Sequence, residues 1–147
     1  MGMYAGNNSG CLYLENNLQA SNSTVEHVIP VSELVDMYFN KNICLPLLLF
    51  FPVAKISKTS NDLLRQIPKT NANHDFPFRR YRKAKIKSKI FTHTGIEVDL
   101  ERYTIKHHFD LVRETASDKT NAFNEDFAQI YKSFDIDAKL ADMLSTW

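Results

Sequence analysis

Only two cysteines occur in the chain's 147 residues, Cys11 and Cys44, and they stand far apart outside any C-x-x-C spacing. A disulfide framework cannot be built from them, and the N-terminus has no secretory leader, so the expectation is two reduced thiols in a cytoplasmic protein. Glycine is scarce at four residues, and neither an internal repeat nor a low-complexity segment is found. Long hydrophobic runs are also lacking. The longest, 43–54, holds Pro46 and Pro52 and falls well short of the roughly 20 residues that cross a bilayer, so no membrane partner is expected. A large net charge is absent too: 18 basic against 17 acidic residues leave +1. The distribution is uneven, however. Segment 79–89 is basic at most positions while the last third carries many acids, a pattern that suits polyanion binding better than the total implies.

With 44% hydrophobic residues, the chain can bury one core without staples, which implies a single domain over 1–147. Residues 1–10 are small and polar and read as a poorly ordered start. Cys11-Leu12-Tyr13-Leu14 reads as a short strand, and residues 24–29 read as a second. Turn chemistry at Asn16-Asn17 and Ser21-Asn22-Ser23 lies between them, so the two are expected to form a hairpin. Val31, Leu34, Val35 and Tyr38 recur at helical spacing behind Pro30. The apolar run is then a buried helix turn or a strand ending near Val53. Ser57 or Thr59 would cap a helix carrying Asn61 and ending before Pro68.

Residues 69–77 are a loop by composition, and the basic segment after them is a strand or an irregular arm. Thr94-Gly95 marks the turn of a second small hairpin joining 89–91 to 96–100. After Thr120-Asn121, the residues Phe123, Phe127, Ile130, Tyr131 and Phe134 fall at helical spacing. Leu140, Met143 and Leu144 repeat the pattern, predicting C-terminal helices.

Val25-Glu26-His27-Val28-Ile29-Pro30 places an acid directly before a histidine at the end of a strand, with Asn61 on a later helix. An oxygen-bound hard cation beside one general base is the minimum equipment for metal-assisted phosphodiester cleavage. These residues resemble the HNH, or ββα-metal, endonuclease superfamily. The resemblance implies an α+β fold in which a hairpin and a metal-binding helix form a nuclease core over 11–67. A second small hairpin and the C-terminal helices would elaborate that core, 76–147 being a substrate-binding or dimerisation extension. It also implies a catalytic His27 and a divalent Mg²⁺ or Mn²⁺ held by Glu26 and Asn61, acting on DNA or sometimes RNA. Because Glu26 and His27 alternate on a regular strand, a local bend is expected to bring both to one phosphate. Tyr13-Leu14 stand where zinc-binding members carry a second cysteine after Cys11, so no structural zinc is expected. The long spacing from His27 to Asn61 implies an inserted helix.

Other residues compete for the same chemistry. His74, beside Asp75, is a rival ligand or phosphate contact, although a loop histidine near an acid is more often structural. His107-His108 are adjacent and cannot both face one metal on a regular element, and His93 is most simply a turn residue. Arg79, Arg80 and Arg82, interleaved with Phe78 and Tyr81 and followed by Lys83 and Lys85, suit a nucleic-acid-binding arm. Lys55 and Lys58 would add phosphate contacts near a helix start.

The leading expectation is therefore an HNH-type endonuclease of a restriction, phage or mobile-element system, with a homodimer as the simple route to cutting both strands. The alternative is a non-catalytic nucleic-acid-binding protein that uses the basic arm. A third reading is an interaction module presenting the aromatic residues of 123–147.

Overall fold

The computed structural model describes residues 11–68, 74–118 and 125–146. The N-terminal start, Asn71, Ala72 and Asn73 of the loop, and Thr120, Asn121 and Phe123 before the first C-terminal helix lie outside the described residues. The architecture is mixed α+β. Strands β1 (Tyr13–Glu15), β2 (Ser23–His27), β3 (Val53–Ser57) and β4 (Ile90–Thr92) form one sheet in the order β2-β3-β1-β4. Seven helices surround it among the described residues: α1 (Val31–Asn40), α2 (Leu45–Leu48), α3 (Lys58–Arg65), α4 (Arg79–Lys83), α5 (Ile105–Ser117), α6 (Glu125–Ser133) and α7 (Ile136–Thr146). Within those residues, no helix is long and apolar enough to cross a membrane.

Burial dictates the strand order. Tyr13 on β1 and Val53, Ala54 and Ile56 on β3 are almost wholly buried, so these two strands take the centre and run parallel, Tyr13 opposite Ala54. No residue of β2 is fully buried, and it takes an edge, antiparallel to β3 with His27 opposite Val53. The hairpin expected between residues 11–14 and 24–29 is thus not formed, because β3 inserts between β1 and β2. A strand buried on both faces needs two neighbours, and that need overrides the preference of adjacent strands to pair.

The second hairpin forms only in part. Gly95 adopts φ of +90°, its N–H bonds Thr92 O at 2.9 Å, and Thr92 N–H bonds Ile96 O at 2.8 Å. The return strand is reduced to a bridge at Phe91 and Glu97, and the long partner of β4 is β1. The basic segment is neither strand nor arm where it begins: 79–83 is α4. Phe78, Tyr81 and Ala84 are buried at three-residue intervals, and this apolar face winds the segment into a helix.

The apolar run divides into α2 and β3, and the aromatic residues beside it receive the C-terminal half. Phe50 meets Phe127 and Tyr131 edge-to-face at 5.2 and 5.7 Å, and Phe51 meets Phe109 of α5 at 5.5 Å. Helix α5, not assigned from the sequence, buries Ile105, Phe109 and Val112 at helical spacing. Thr104 and His107 form a capping box at its start, Thr104 Oγ1 accepting from His107 N–H at 3.1 Å.

The adjacent histidines separate as the alternation of faces requires, His107 exposed in the cap and His108 wholly buried. His108 Nε2–H donates to Phe50 O at 2.6 Å, so its Nδ1 accepts from the Tyr13 hydroxyl at 2.7 Å. The Tyr13 oxygen in turn accepts from the Tyr103 hydroxyl at 3.0 Å. One imidazole thereby links β1, the segment before β3 and α5. Burial pushes its pKa from 6.5 down to about 4. Between these values the unfolded chain binds a proton that the folded chain refuses. Its contribution to stability is therefore complete above pH 6.5 and is lost towards pH 4, by an amount on the order of 3 kcal/mol. Urea unfolding across this window should show that fall, whereas His108→Gln should be weaker at neutral pH and show a smaller slope.

Candidate functional site

A strand–strand–helix unit is made by β2, β3 and α3. β3 runs directly into α3 at Ser57, which closes the strand and caps the helix, its Oγ accepting from Ser60 N–H at 3.1 Å. Ser57, rather than Thr59, is therefore the cap. Half-buried Asn61 follows one turn into the helix and faces the outer edge of the sheet, where β2 ends in Glu26 and His27. Glu26, His27 and Asn61 line one cleft of about 340 Å³, together with Thr24, Arg65 and Arg80.

The expected bend in β2 is not found. Pairing stays regular through His27, and Val28 N–H continues it to Pro52 O at 3.1 Å. Glu26 and His27 therefore alternate across the strand, and both residues line the cleft at the outer edge of the sheet, where β2 has no neighbouring strand. Partial burial lowers the His27 pKa below 6.5, with the negative charge of Glu26 opposing the shift. The ring is therefore neutral at pH 7 and can accept a proton. No hydrogen bond to it is formed by the described residues.

Arg80 is the cleft residue whose role was misread from sequence. Instead of reaching into solvent it is only 4% exposed, and its Nη1 donates to Glu26 Oε1 at 3.0 Å and to Val28 O at 3.2 Å. Its Nε is buried with no partner among the described residues. The cause is local, since the apolar face of α4 lays the backbone against the core and carries Arg80 inward with it.

The remaining predicted site residues are dispersed. Arg79 ion-pairs with Glu101 at 3.2 Å and stacks over Phe76 at 3.7 Å. Exposed Lys83 and Lys85 line a separate groove with Thr59, Gln66 and Lys87, and Arg82 lies in a third depression among acids and bases of 97–102. Lys55 on β3 is half-buried, Lys58 at the start of α3 is exposed, and neither lines the cleft. His74 lies apart from it, its Nε2 3.3 Å from Glu33 Oε2 and its Nδ1 3.3 Å from Lys41 Nζ. Both cysteines are free thiols, and burial raises Cys11 to about 11.

Glu15, which the sequence reading passed over, sets the position of α3. Its buried carboxylate accepts from Ser57 N–H and from the Ser60 hydroxyl, each at 2.5 Å. The only sequence signal for it is an acid ending an apolar strand. No family model matches the chain, and neither a curated protein nor a solved structure matches it.

Glu15→Ala leaves two donors at the start of α3 without their acceptor. It should destabilise the fold by roughly 2–3 kcal/mol in urea unfolding, with Glu15→Gln recovering part of the loss.

Proposed function

We propose that the chain is a metal-dependent HNH-type endonuclease that hydrolyses phosphodiester bonds in DNA. The observation that carries this reading is that the adjacent Glu26 and His27 share one open cleft with Asn61, distant in sequence, beside a strand–strand–helix unit. In this reading β2, β3 and α3 are the ββα core, with α1 and α2 inserted between its strands. The expected pairing of β1 with β2 gives way to that of β2 with β3.

His27 is the general base: neutral at pH 7 and without a hydrogen bond from the described residues, it takes the proton of the attacking water. Glu26 and Asn61 offer a carboxylate and an amide oxygen, a donor set suited to Mg²⁺ or Mn²⁺. When bound, such an ion would stabilise charge on the phosphate and on the departing 3′ oxygen. Arg65, exposed at the rim, supplies positive charge for the phosphate. Arg82, Lys83, Lys85 and Lys87 are exposed and form no ion pair with the described residues, so they are available to the nucleic-acid backbone.

One observation favours the alternative of a non-catalytic nucleic-acid-binding protein. Glu26 already has a cationic partner in Arg80, as a structural carboxylate would. The two readings separate on plasmid DNA incubated with EDTA, Mg²⁺, Mn²⁺ or Ca²⁺. The nuclease requires cleavage in Mg²⁺ or Mn²⁺ but not in EDTA, and a loss of about 10²–10⁴-fold in His27→Ala that retains the wild-type melting curve. Intact plasmid bound with steep salt dependence would transfer the assignment to the binding protein.

A further inference from the structure

Among the nitrogens of the Arg80 guanidinium, Nη1 alone has acceptors, Glu26 Oε1 at 3.0 Å and Val28 O at 3.2 Å. Nε is enclosed without a partner among the described residues. Nη2 has no partner among them either, but it is not enclosed, and the space that Arg80 lines is the cleft. A guanidinium forks onto an oxyanion along such an edge, and here the edge formed by Nε and Nη2 has no acceptor. A cation this deeply buried is left under-compensated by one ion pair and one carbonyl.

The rest of the polar lining suits the same kind of ligand. Arg65, in the last turn of α3, is exposed and forms no ion pair with the described residues. Thr24, His27 and Asn61 offer a hydroxyl, the N–H of a neutral imidazole and an amide, none of them hydrogen-bonded among those residues. The one carboxylate of the lining is Glu26, which Arg80 already pairs. Two guanidiniums against that carboxylate leave the cleft net positive, which opposes a divalent cation arriving alone and attracts an anion. Because the donors come from β2, α3 and α4, they suit a tetrahedral group with oxygens on several sides better than a planar one. At about 340 Å³ the cleft lies at the small end of ligand sites, which run from roughly 300 to 1,000 Å³.

We infer that the cleft is a phosphate site in its own right, in which Arg80 through Nη2 and Arg65 hold the oxyanion directly, with no metal ion between. Glu26 is then a positioning residue: it engages Nη1 and leaves the Nη2 edge to the ligand. This goes beyond the nuclease reading and stands without it, since the donors are in place before any cation binds.

The test is isothermal titration calorimetry in EDTA on wild type, Arg65→Ala and Arg80→Met, with Lys87→Ala representing the separate lysine groove. The probes are inorganic phosphate, acetate, thymidine, thymidine 5′-phosphate and a thymidine dinucleotide without terminal phosphates. Wild type should bind inorganic phosphate saturably and more tightly than acetate. Arg65→Ala and Arg80→Met should each weaken phosphate binding about tenfold or more, the loss of a charge-assisted contact. Thymidine alone should not bind. Tighter binding of the mononucleotide names a chain-terminal phosphate as the occupant, and tighter binding of the dinucleotide names a phosphate within a chain.

The inference is overturned if phosphate does not bind, if acetate or thymidine binds as tightly, or if Lys87→Ala weakens phosphate binding as much as Arg65→Ala does. Binding that appears only when Mg²⁺ replaces EDTA would also overturn it, while supporting the metal of the nuclease reading. Phosphate bound in EDTA by a protein that leaves plasmid intact in every metal would keep this site and remove the nuclease. Should Arg80→Met not fold, the wild-type protein decides by the side-chain ¹⁵N resonances of its arginines. The enclosed Nε–H of Arg80, recognised by its slow exchange with water, should shift on adding phosphate together with that of Arg65, identified by its loss in Arg65→Ala. A shift of the Arg65 resonance alone would overturn the part given to Arg80.

Discussion

The carboxylate of Glu15 is the tie on which the placement of the cleft depends. It ends β1 in the middle of the sheet and accepts from the backbone of Ser57 and the hydroxyl of Ser60, the residues where β3 becomes α3. A negative group at a helix N-terminus satisfies donors that have no partner within the helix and complements the helix dipole. Because the group is buried and belongs to a neighbouring strand, it fixes the direction in which α3 leaves the sheet, not merely its first turn. Asn61 meets Glu26 and His27 only if that direction is right. Tyr13, two residues before Glu15, carries the second tie, through His108 to Phe50 and α5. Three short residues of β1 thus hold both halves of the chain in register.

The basic segment shows how a charge run is divided by a fold. Arg79, Arg80 and Lys89 are each paired with an acid, Glu101, Glu26 and Glu97 respectively. Arg82, Lys83, Lys85 and Lys87 remain exposed. The helical winding of α4 and the positive φ of 58° at Lys85 set this division, turning successive side chains to the core, to the cleft and to solvent. The unpaired positive charge of the run is therefore that of four residues rather than its full length, and it lies in depressions outside the cleft. Charge asymmetry in the sequence located the segment but could not apportion it.

What was legible in the sequence followed the strength of local signals. Val31, Leu34 and Val35 behind Pro30 marked α1, the alternatives Ser57 and Thr59 marked the start of α3, and Tyr131, Leu140 and Met143 marked the buried faces of α6 and α7. The Glu26-His27 and Asn61 positions were read directly, and the fold brings all three to one cleft. Strand partners were not legible, since β1 and β2 are close in sequence and nothing local says that β3 will insert between them. Arg80 was misread and Glu15 missed for the same reason. A buried charge is defined by a partner far along the chain, Glu26 for the one and Ser60 for the other.

The Glu26–Arg80 pair also differs in kind from the other arginine and lysine ion pairs of the described residues. Those at Arg79, Lys89, Lys106 and Arg113 have at least one half-exposed partner, and such pairs contribute up to about 1 kcal/mol. Arg80 is buried, and removing a guanidinium from water costs several kcal/mol that one ion pair and one carbonyl contact largely offset rather than exceed. An apolar side chain of similar volume would fill the same space at no greater cost to the fold. Net stability is therefore a poor account of this pair. What an arginine provides there and an apolar residue cannot is a fixed orientation of the Glu26 carboxylate, with Oε1 engaged and Oε2 left to whatever enters the cleft.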